Sequence, residues 1–271
     1  MRNSAKSKNA GSVALTLAVA FAMTASALTL PACSQSSADR DAGAAKPPPS
    51  IALESLPGLE TELAQMREAS QKNAPPELLA IGERQRAALR EAGIMDNALN
   101  VGDRAPEFEL PNALGERVSS TQLLENGPIV VTFYRGGWCP YCNLQLANLQ
   151  ESLPHFKAAG IQLVAISPQA PDNSIETVEK HNLEFEVLSD LDNMLARDFG
   201  IAYEMTRELD SAARGFGLNV RELNKTEKAE LPLAVTYGID ADGVIKYAFL
   251  DLDYSRRAEP ADILAALRTS S

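Results

Sequence analysis

Two cysteines separated by two residues, Cys139 and Cys142, are the side chains of this sequence best suited to covalent chemistry. The apolar run 129–134 predicts a buried strand before them, and apolar periodicity predicts a helix after them. The pair therefore lies where a strand passes into a helix, and Pro140 suits the first helical position. Unpaired N–H groups and the dipole of a helix N-terminus stabilise an anion, so a thiolate there has a lowered pKa and acts as a nucleophile.

A Cys-x-x-Cys pair has three interpretations. A static disulfide across it closes too small a loop to stabilise the fold much. A zinc site needs two further ligands, and His155 and His181 are too isolated to supply them. The context favours the third interpretation, a redox-active pair that joins and separates reversibly, and we expect no metal and no cofactor.

The elements around this pair alternate between strands and helices. Strands are predicted at 108–110, 129–134, 162–167, 185–188, 235–239 and 244–252, and helices at 142–159, 173–181, 193–199 and 261–268. The turn residues at 240–243 predict a hairpin between the last two strands. The pattern indicates an α/β fold with a central mixed sheet flanked by helices. Residues 212–230 are polar without clear periodicity, and we expect an insertion loop there.

An N-terminal helical extension is predicted over residues 51–99, ahead of the main domain at 100–271. Leu59, Leu63 and Met66 have helical spacing, and a second helix is predicted to begin at Pro75-Pro76 and to run to about residue 93. We expect these helices to pack on the main domain.

The first segment has the features of an export signal. A basic start is followed by residues 9–38 without charge, and the sequence Leu-Pro-Ala-Cys ends at Cys33. This resembles the processing box of bacterial lipoproteins, which implies a signal peptide at 1–32, lipidation of Cys33 and a lipid-anchored protein of the cell envelope facing the periplasm. Residues 33–50 are predicted to be a disordered tether. Ser34 favours the outer membrane over the inner membrane. The alternatives to a lipoprotein signal are a retained transmembrane anchor and an ordinary cleaved signal peptide.

Composition excludes several classes of protein. The 271 residues are 45% hydrophobic and carry a formal net charge of −11, so a nucleic-acid partner, which requires a basic surface, is not expected. Only 3 Cys and 2 His are present, which argues against a disulfide scaffold.

Four motifs carry a resemblance to a known family. They are Gly-Asp-Arg-Ala-Pro-Glu-Phe-Glu-Leu at 102–110, the run from Phe133 to Cys142, Ile-Ser-Pro-Gln at 166–169 and the segment 253–260. Together they resemble the peroxiredoxin-like branch of the alkyl hydroperoxide reductase/thiol-specific antioxidant family. The resemblance implies a thioredoxin fold and thiol-dependent peroxide reduction. Relatives usually carry Thr-x-x-Cys, so Cys139 takes the Thr position and Cys142 the peroxidatic one.

Two functions remain open at this stage. The first is a peroxidase of hydrogen peroxide or organic hydroperoxides in which one cysteine attacks, the other forms a disulfide with it, and an external thioredoxin-like dithiol reduces that disulfide. Arg135 is the first candidate for the cation at this site because it is near in sequence, and Arg257 is the second, through the family resemblance. The alternative is an extracytoplasmic thiol–disulfide oxidoreductase of thioredoxin type in which Cys139 attacks first. A copper-chaperone type of metal binding fits least, because no His lies near a suitable motif.

Overall fold

A mixed sheet forms the centre of the protein, whose computed structural model describes residues 56–268. The strands of this described region are β1 (Glu109–Pro111), β2 (Arg117–Ser119), β3 (Ile129–Phe133), β4 (Gln162–Ser167), β5 (Glu186–Ser189), β6 (Ala202–Glu204), β7 (Glu230–Pro232), β8 (Thr236–Ile239) and β9 (Ile245–Phe249). Five of them form the central sheet in the order β5-β4-β3-β8-β9, while β1 with β2 and β6 with β7 form separate antiparallel pairs.

Helices cover both faces of the sheet. They are α1 (Glu60–Asn73), α2 (Pro76–Glu91), α3 (Ile94–Asn97), α4 (Ser120–Leu124), α5 (Pro140–Ala158), α6 (Pro171–His181), α7 (Met194–Asp198), α8 (Arg207–Gly215), α9 (Val220–Asn224) and α10 (Pro260–Arg268). Strand β3 is parallel to β4 and antiparallel to β8, so the sheet is mixed. The predicted α/β fold with a central mixed sheet flanked by helices is confirmed.

Strand β3 is buried along its whole length and divides the core in two. Ile129, Val131 and Phe133 face a cluster that includes Phe199, because alternate side chains of a strand point to opposite faces. Val130 points the other way, into a cluster built with α5 and α10. The strand that leads to the cysteines is therefore held rigidly on both sides.

Both predicted helices of the N-terminal extension are present. Helix α1 buries Leu63, and Leu59 at its start is also buried, both in the cluster that contains Cys142. Helix α2 begins at Pro76, as its Pro-Pro pair predicts, and buries Ile81 and Leu89. The apolar stripe of α1 thus packs directly on the helix that carries the cysteines.

The prediction of an insertion loop at 212–230 is wrong. This stretch contains the end of α8 and the whole of α9. Helix α8 begins before the stretch, where the Thr206 side chain accepts a hydrogen bond of 3.3 Å from the Leu209 amide and caps the helix. Buried Asp210 then bonds Arg221 at 2.6 Å and so joins α8 to α9. Apolar contacts support the same region, since Leu209 and Ala213 of α8 pack against the cluster that contains Val220 of α9.

The predicted hairpin at 240–243 is confirmed, because β8 and β9 are antiparallel neighbours. Asp240 closes the turn: its Oδ1 accepts hydrogen bonds from the amides of Asp242 and Val244 at 3.0 and 2.9 Å. The predicted signal peptide (1–32) and tether (33–50) lie outside the described residues. Within residues 56–268, no helix is both long and apolar enough to cross a membrane.

Gly200→Ala should destabilise the fold more than Gly160→Ala does. Both glycines have a left-handed backbone, with φ of +72° and +70°, but an added Cβ at Gly200 would lie 2.2 Å from the Asn97 carbonyl oxygen, whereas Gly160 is open. Each substitution should cost about 1–2 kcal/mol for the backbone conformation, and Gly200→Ala about 1–3 kcal/mol more for the collision. Urea unfolding measures the difference, and equal losses would contradict the close packing.

Candidate active site

The two cysteines lie at the beginning of α5. Cys139 is the N-cap residue, Pro140 is the first residue of the helix, and Cys142 lies in the first turn. The carbonyl oxygen of Cys139 accepts hydrogen bonds from the amides of Cys142 and Asn143, each at 3.0 Å, so the helix is regular from its first turn. The predicted location at a strand-to-helix junction is therefore confirmed, although the helix begins two residues before the predicted start at Cys142.

The loop before the cysteines is fixed by polar contacts. The amide of Gly137 donates to Gln169 Oε1 at 2.7 Å, and its carbonyl accepts from Asn143 Nδ2 at 2.8 Å. A Cβ at Gly137 would lie 2.3 Å from Thr177 Oγ1, so this position has no room for a side chain. The glycine of the motif thus lets the loop approach α6 closely, and the loop in turn holds both sulfurs in place.

The two sulfurs are buried thiols with opposite pKa shifts. Cys139 is 1% exposed and Cys142 is 0% exposed. Burial opposes ionisation of Cys142, but a hydrogen bond from the Cys139 thiol and the positive charge of Arg257 outweigh it and lower the pKa of Cys142 to about 5. The backbone amide and the charge of Arg135 add to this effect. The pKa of Cys139 is raised, first because its thiol is hydrogen-bonded to Cys142 and then because it is buried.

Arg257 is the cation closest to the low-pKa sulfur. Its Nη2 lies 3.4 Å from Cys142 Sγ, and its side chain is almost fully buried. Its Nη1 donates to the backbone carbonyls of Tyr254 and of Arg256, the latter at 2.8 Å. Within residues 56–268 no carboxylate forms an ion pair with Arg257, and the Cys142 sulfur is the group that it contacts as a counter-charge.

Arg135 is held above the pair by aromatic rings. Its guanidinium carbon lies 4.2 Å from the ring centroid of Tyr254 and 4.9 Å from that of Trp138, in the range of cation–π contacts. It is buried, and its Nε has no hydrogen-bond partner among the described residues. Tyr254 therefore contacts both arginines, Arg135 through its ring and Arg257 through its carbonyl.

The segment that carries Arg257 is bound to the N-terminal extension. Glu259 accepts hydrogen bonds from the amides of Leu59 and Glu60, at 3.0 and 2.6 Å, and so caps α1. Arg67, on the same helix, donates to the Ser255 carbonyl at 3.0 Å. Helix α1 thus fixes the segment on both sides of Arg257.

Helix α1 is also joined to the cysteine helix. The Tyr141 hydroxyl, between the two cysteines in sequence, donates to Ser70 Oγ at 3.0 Å. The Tyr141 ring meets the Tyr254 ring edge to face, with centroids 5.7 Å apart. One helix of the extension therefore holds both the sulfurs and the segment that supplies their cation.

A cleft of about 560 Å³ leads to Cys139. Its lining comes from α1, α2, α5 and α8 and from the loops between elements, and most of the side chains are apolar. The described residues around it are Ser70, Asn73, Ala74, Leu78, Leu79, Gly82, Arg86, Arg135, Trp138, Cys139, Pro140, Tyr141, Met205, Leu209, Ala213, Phe216, Leu218 and Tyr254. Cys142 does not line the cleft and lies behind Cys139.

The structure brings together the four predicted site residues Cys139, Cys142, Arg135 and Arg257. Cys33 lies outside the described residues. Sequence reasoning did not assign a role to Tyr254 or to Glu259, although both lie in the motif at 253–260.

Sequence reasoning also missed Ser70, whose contact with Tyr141 depends on how two helices pack, and nothing in the sequence indicates it. His155 and His181, to which the sequence assigns no role, do not line the cleft. Within residues 56–268, no group of three or more His, Cys, Asp or Glu side chains is placed to hold a metal ion.

Comparison with known proteins places this site in a family. A family model described as the AhpC/TSA family matches residues 101–248, more than half of the chain. Peroxiredoxin Bcp of Escherichia coli is 30% identical over 162 residues, which are 59% of this chain and 90% of that protein. The chloroplastic Peroxiredoxin Q of Oryza sativa subsp. japonica is 28% identical over 156 residues, 58% of this chain and 61% of that protein.

A solved structure shares the fold. The Peroxidoxin BcpB of Mycobacterium tuberculosis superposes with a TM-score of 0.51 at 21% identity, covering 64% of this chain and 99% of that one. This likeness concerns the fold, which is the thioredoxin-like fold of peroxiredoxins. With the family match over the main domain, it leads to one conclusion: the chain belongs to the AhpC/TSA family.

Proposed function

We propose that the protein reduces hydrogen peroxide or organic hydroperoxides, with Cys142 as the attacking thiolate and Cys139 as the resolving thiol. As a member of the AhpC/TSA family it is a thiol-dependent peroxidase, and the proposal assigns the steps to particular atoms. The observation that carries it is the electrostatic difference between the two sulfurs: the pKa of Cys142 is lowered to about 5, whereas that of Cys139 is raised.

The proposed reaction has three steps. The Cys142 thiolate attacks the terminal oxygen of the peroxide, the O–O bond breaks, and Cys142 becomes a sulfenic acid while the leaving oxygen takes a proton as water or alcohol. The Cys139 sulfur then attacks the Cys142 sulfur, which forms the disulfide and releases water. An external thioredoxin-like dithiol returns the pair to thiols and is itself oxidised to a disulfide.

The two arginines have separate tasks in this scheme. Arg257 holds the thiolate, since its Nη2 contacts Cys142 Sγ at 3.4 Å. Arg135 lines the cleft, and its Nε has no hydrogen-bond partner within residues 56–268, so it is available to stabilise the leaving oxyanion. Both cations act in a site from which water is largely excluded, which strengthens their effect.

The alternative, a thioredoxin-type oxidoreductase, requires Cys139 to attack first. The raised pKa of Cys139 disfavours this order, because a thiol has to ionise before it becomes a nucleophile. An insulin reduction assay addresses the alternative directly: turnover that depends on Cys139 and not on Cys142 would favour it over the peroxidase.

Peroxide titration of the reduced protein should consume both active-site thiols at one equivalent of hydrogen peroxide. In Cys139→Ser the Cys142 thiol should still react rapidly and remain as a sulfenic acid, because no resolving thiol is present. In Cys142→Ser the rate should fall to that of a free thiol. Thiol counting and mass spectrometry measure all three.

The assignment of the two cysteines would be reversed if peroxide oxidised the Cys142→Ser variant rapidly and the Cys139→Ser variant slowly. A wild-type rate no greater than that of a free thiol would reject the peroxidase itself.

Arg257→Met should raise the pKa of Cys142 by about 1–3 units, because an opposite charge at contact distance favours the ionised form. The wild-type rate with peroxide should be half-maximal near pH 5 and should not rise further above neutrality. In the variant the midpoint of this pH dependence moves to higher pH, and the rate with peroxide at pH 6 falls about tenfold. Ultraviolet absorbance of the thiolate gives the pKa independently of activity.

Arg256→Met is the matched control for this measurement. It removes the same charge one residue earlier, from a side chain that is 60% exposed and lies 3.4 Å from Asp251. Its pH profile should be that of the wild type. Identical shifts in the two variants would mean that net charge, and not contact with Cys142, sets the pKa.

We propose further that the protein is a lipoprotein attached at Cys33 to the envelope membrane, with its folded part in the periplasm. The support is the sequence of the first segment, with its basic start, uncharged run and Leu-Pro-Ala-Cys box. Ser34, next to the modified cysteine, favours the outer membrane.

Mass spectrometry of the protein from a Gram-negative host should find Cys33 as the first residue, carrying lipid. Cys33→Ser should block the modification and leave the signal segment attached, because the cysteine is the acceptor. An intact Met1 or an unmodified Cys33 in the wild type would contradict the proposal.

A further inference from the structure

Glu259 joins the beginnings of two helices. Its carboxylate accepts hydrogen bonds from the amides of Leu59 and Glu60 at the start of α1, at 3.0 and 2.6 Å. Its backbone carbonyl accepts from two amides in the first turn of α10, at 3.1 and 3.3 Å. The first amides of a helix have no partner within the helix, so one residue satisfies open donors of both helices. Arg257 lies only two positions before this junction.

The start of α1 is also attached to the cysteine helix. Asn148 Nδ2 on α5 donates to the backbone carbonyl of Pro57 at 3.1 Å. Leu59 and Leu63 are 1% and 0% exposed and pack in one cluster with both cysteines. Helix α1 is therefore expected to stay on α5 through these contacts even when its bonds to the segment 253–260 are lost.

A second bond from α1 holds the other side of the Arg257 segment. Arg67 donates to the Ser255 carbonyl, and Glu60 pairs with Arg67. The amide of Glu60 bonds Glu259, so the two attachment points are about two turns apart on one helix. Arg257 thus lies between two residues that the same helix holds.

Four titratable or charged side chains act on Cys142. Cys139 donates a hydrogen bond to it, and Arg257 and Arg135 supply positive charge. Tyr134 stays protonated, because burial raises its pKa to about 12. Arg257 Nη2 is 3.4 Å from the sulfur, and a charge in a poorly hydrated site acts most strongly at such a distance. A small displacement of Arg257 therefore weakens its effect on the thiolate.

From these contacts we infer that Glu259 is a positioning residue of the peroxidase: by capping α1, it holds the Arg257 guanidinium at contact distance from the Cys142 sulfur. The inference rests on the proposed function and adds a residue that acts through Arg257. Helix α1 and Glu259 both lie outside residues 101–248, which the family model matches. The contact thus joins two parts of the chain that the family model leaves out.

The direction of the effect separates positioning from charge. Glu259 is an anion, so removal of its charge alone would favour the Cys142 thiolate and lower the pKa of Cys142. Displacement of Arg257 has the opposite effect, because the loss of a nearby positive charge disfavours the thiolate. A rise in the pKa of Cys142 after substitution of Glu259 therefore reports that Arg257 has moved.

Glu259→Ala should raise the pKa of Cys142 by about 1 unit, the lower end of the effect of an opposite charge at contact distance. Ultraviolet absorbance of the thiolate measures this pKa without peroxide. From a starting value of about 5, the rate with peroxide at pH 5 should fall about fivefold, whereas at pH 8 the variant and the wild type should react at similar rates. Glu259→Gln keeps an acceptor oxygen for the α1 amides and should restore most of the wild-type value.

Two controls accompany this measurement. Asp262→Ala removes an exposed carboxylate three positions further along the chain, and it should leave the pKa of Cys142 unchanged. In an Arg257→Met background, Glu259→Ala should cause no further rise in this pKa, because two residues that act through one contact are not additive.

An unchanged or lowered pKa of Cys142 in folded Glu259→Ala would overturn the inference even where the peroxidase activity holds. The same rise in the Arg257→Met background would also overturn it, since Glu259 would then act by another route. The expected pKa shift without any peroxide reaction in the wild type would reject the proposed function and leave the positioning role intact.

Glu259→Asp replaces Glu259→Ala if circular dichroism shows that the alanine variant is unfolded. Its carboxylate keeps the charge but is one methylene further from the α1 amides. A smaller rise in the pKa of Cys142 is then expected, and the absence of a rise would overturn the inference.

Discussion

The buried contact between a thiolate and a guanidinium, Cys142 with Arg257, is the interaction on which the other features of this protein depend. Neither group is stable alone in a dry interior, because an unpaired buried charge costs several kcal/mol of folding free energy. Together, with a hydrogen bond from Cys139, they favour the ionised form of Cys142 where solvent is nearly absent. The site therefore requires that two segments far apart in sequence meet, with Arg257 Nη2 and Cys142 Sγ 3.4 Å apart, and much of the fold serves that requirement.

The N-terminal extension has its place in this arrangement. Helix α1 lies outside the part of the chain that the family model matches, yet it contacts the cysteine helix through Tyr141 and the Arg257 segment through Glu259 and Ser255. Helix α1 thus holds the cysteine helix and the Arg257 segment in fixed positions relative to each other. Helix α2 has a different part, because with α8 it forms the walls of the cleft that leads to Cys139. The extension both supports the chemistry and shapes access to it.

Sequence reasoning anticipated the parts of this design that have local signals. The apolar strand, the proline at the helix start and the Cys-x-x-Cys spacing all lie within one short stretch, so the junction at Cys139 was predictable. Arg257 could be nominated only by resemblance, because its contact with Cys142 spans 115 positions. The helices in 212–230 escape the sequence pattern because they are short and are held both by polar contacts around Asp210 and by an apolar cluster around Val220. The sequence leaves open which sulfur is the more acidic, because burial and neighbouring charges decide it.

The lack of carboxylate partners for Arg135 and Arg257 within the described region has an effect on the energetics of the catalytic cycle. In the reduced protein the Cys142 thiolate balances part of their charge. In the proposed cycle, formation of the disulfide removes that negative charge and leaves two cations in a poorly hydrated interior. The oxidised state is thereby penalised relative to the reduced one, as in disulfides that act as strong oxidants because their dithiol form is the stabilised one. In the proposed cycle, the loss of the thiolate charge on oxidation therefore favours reduction of the disulfide back to the two thiols.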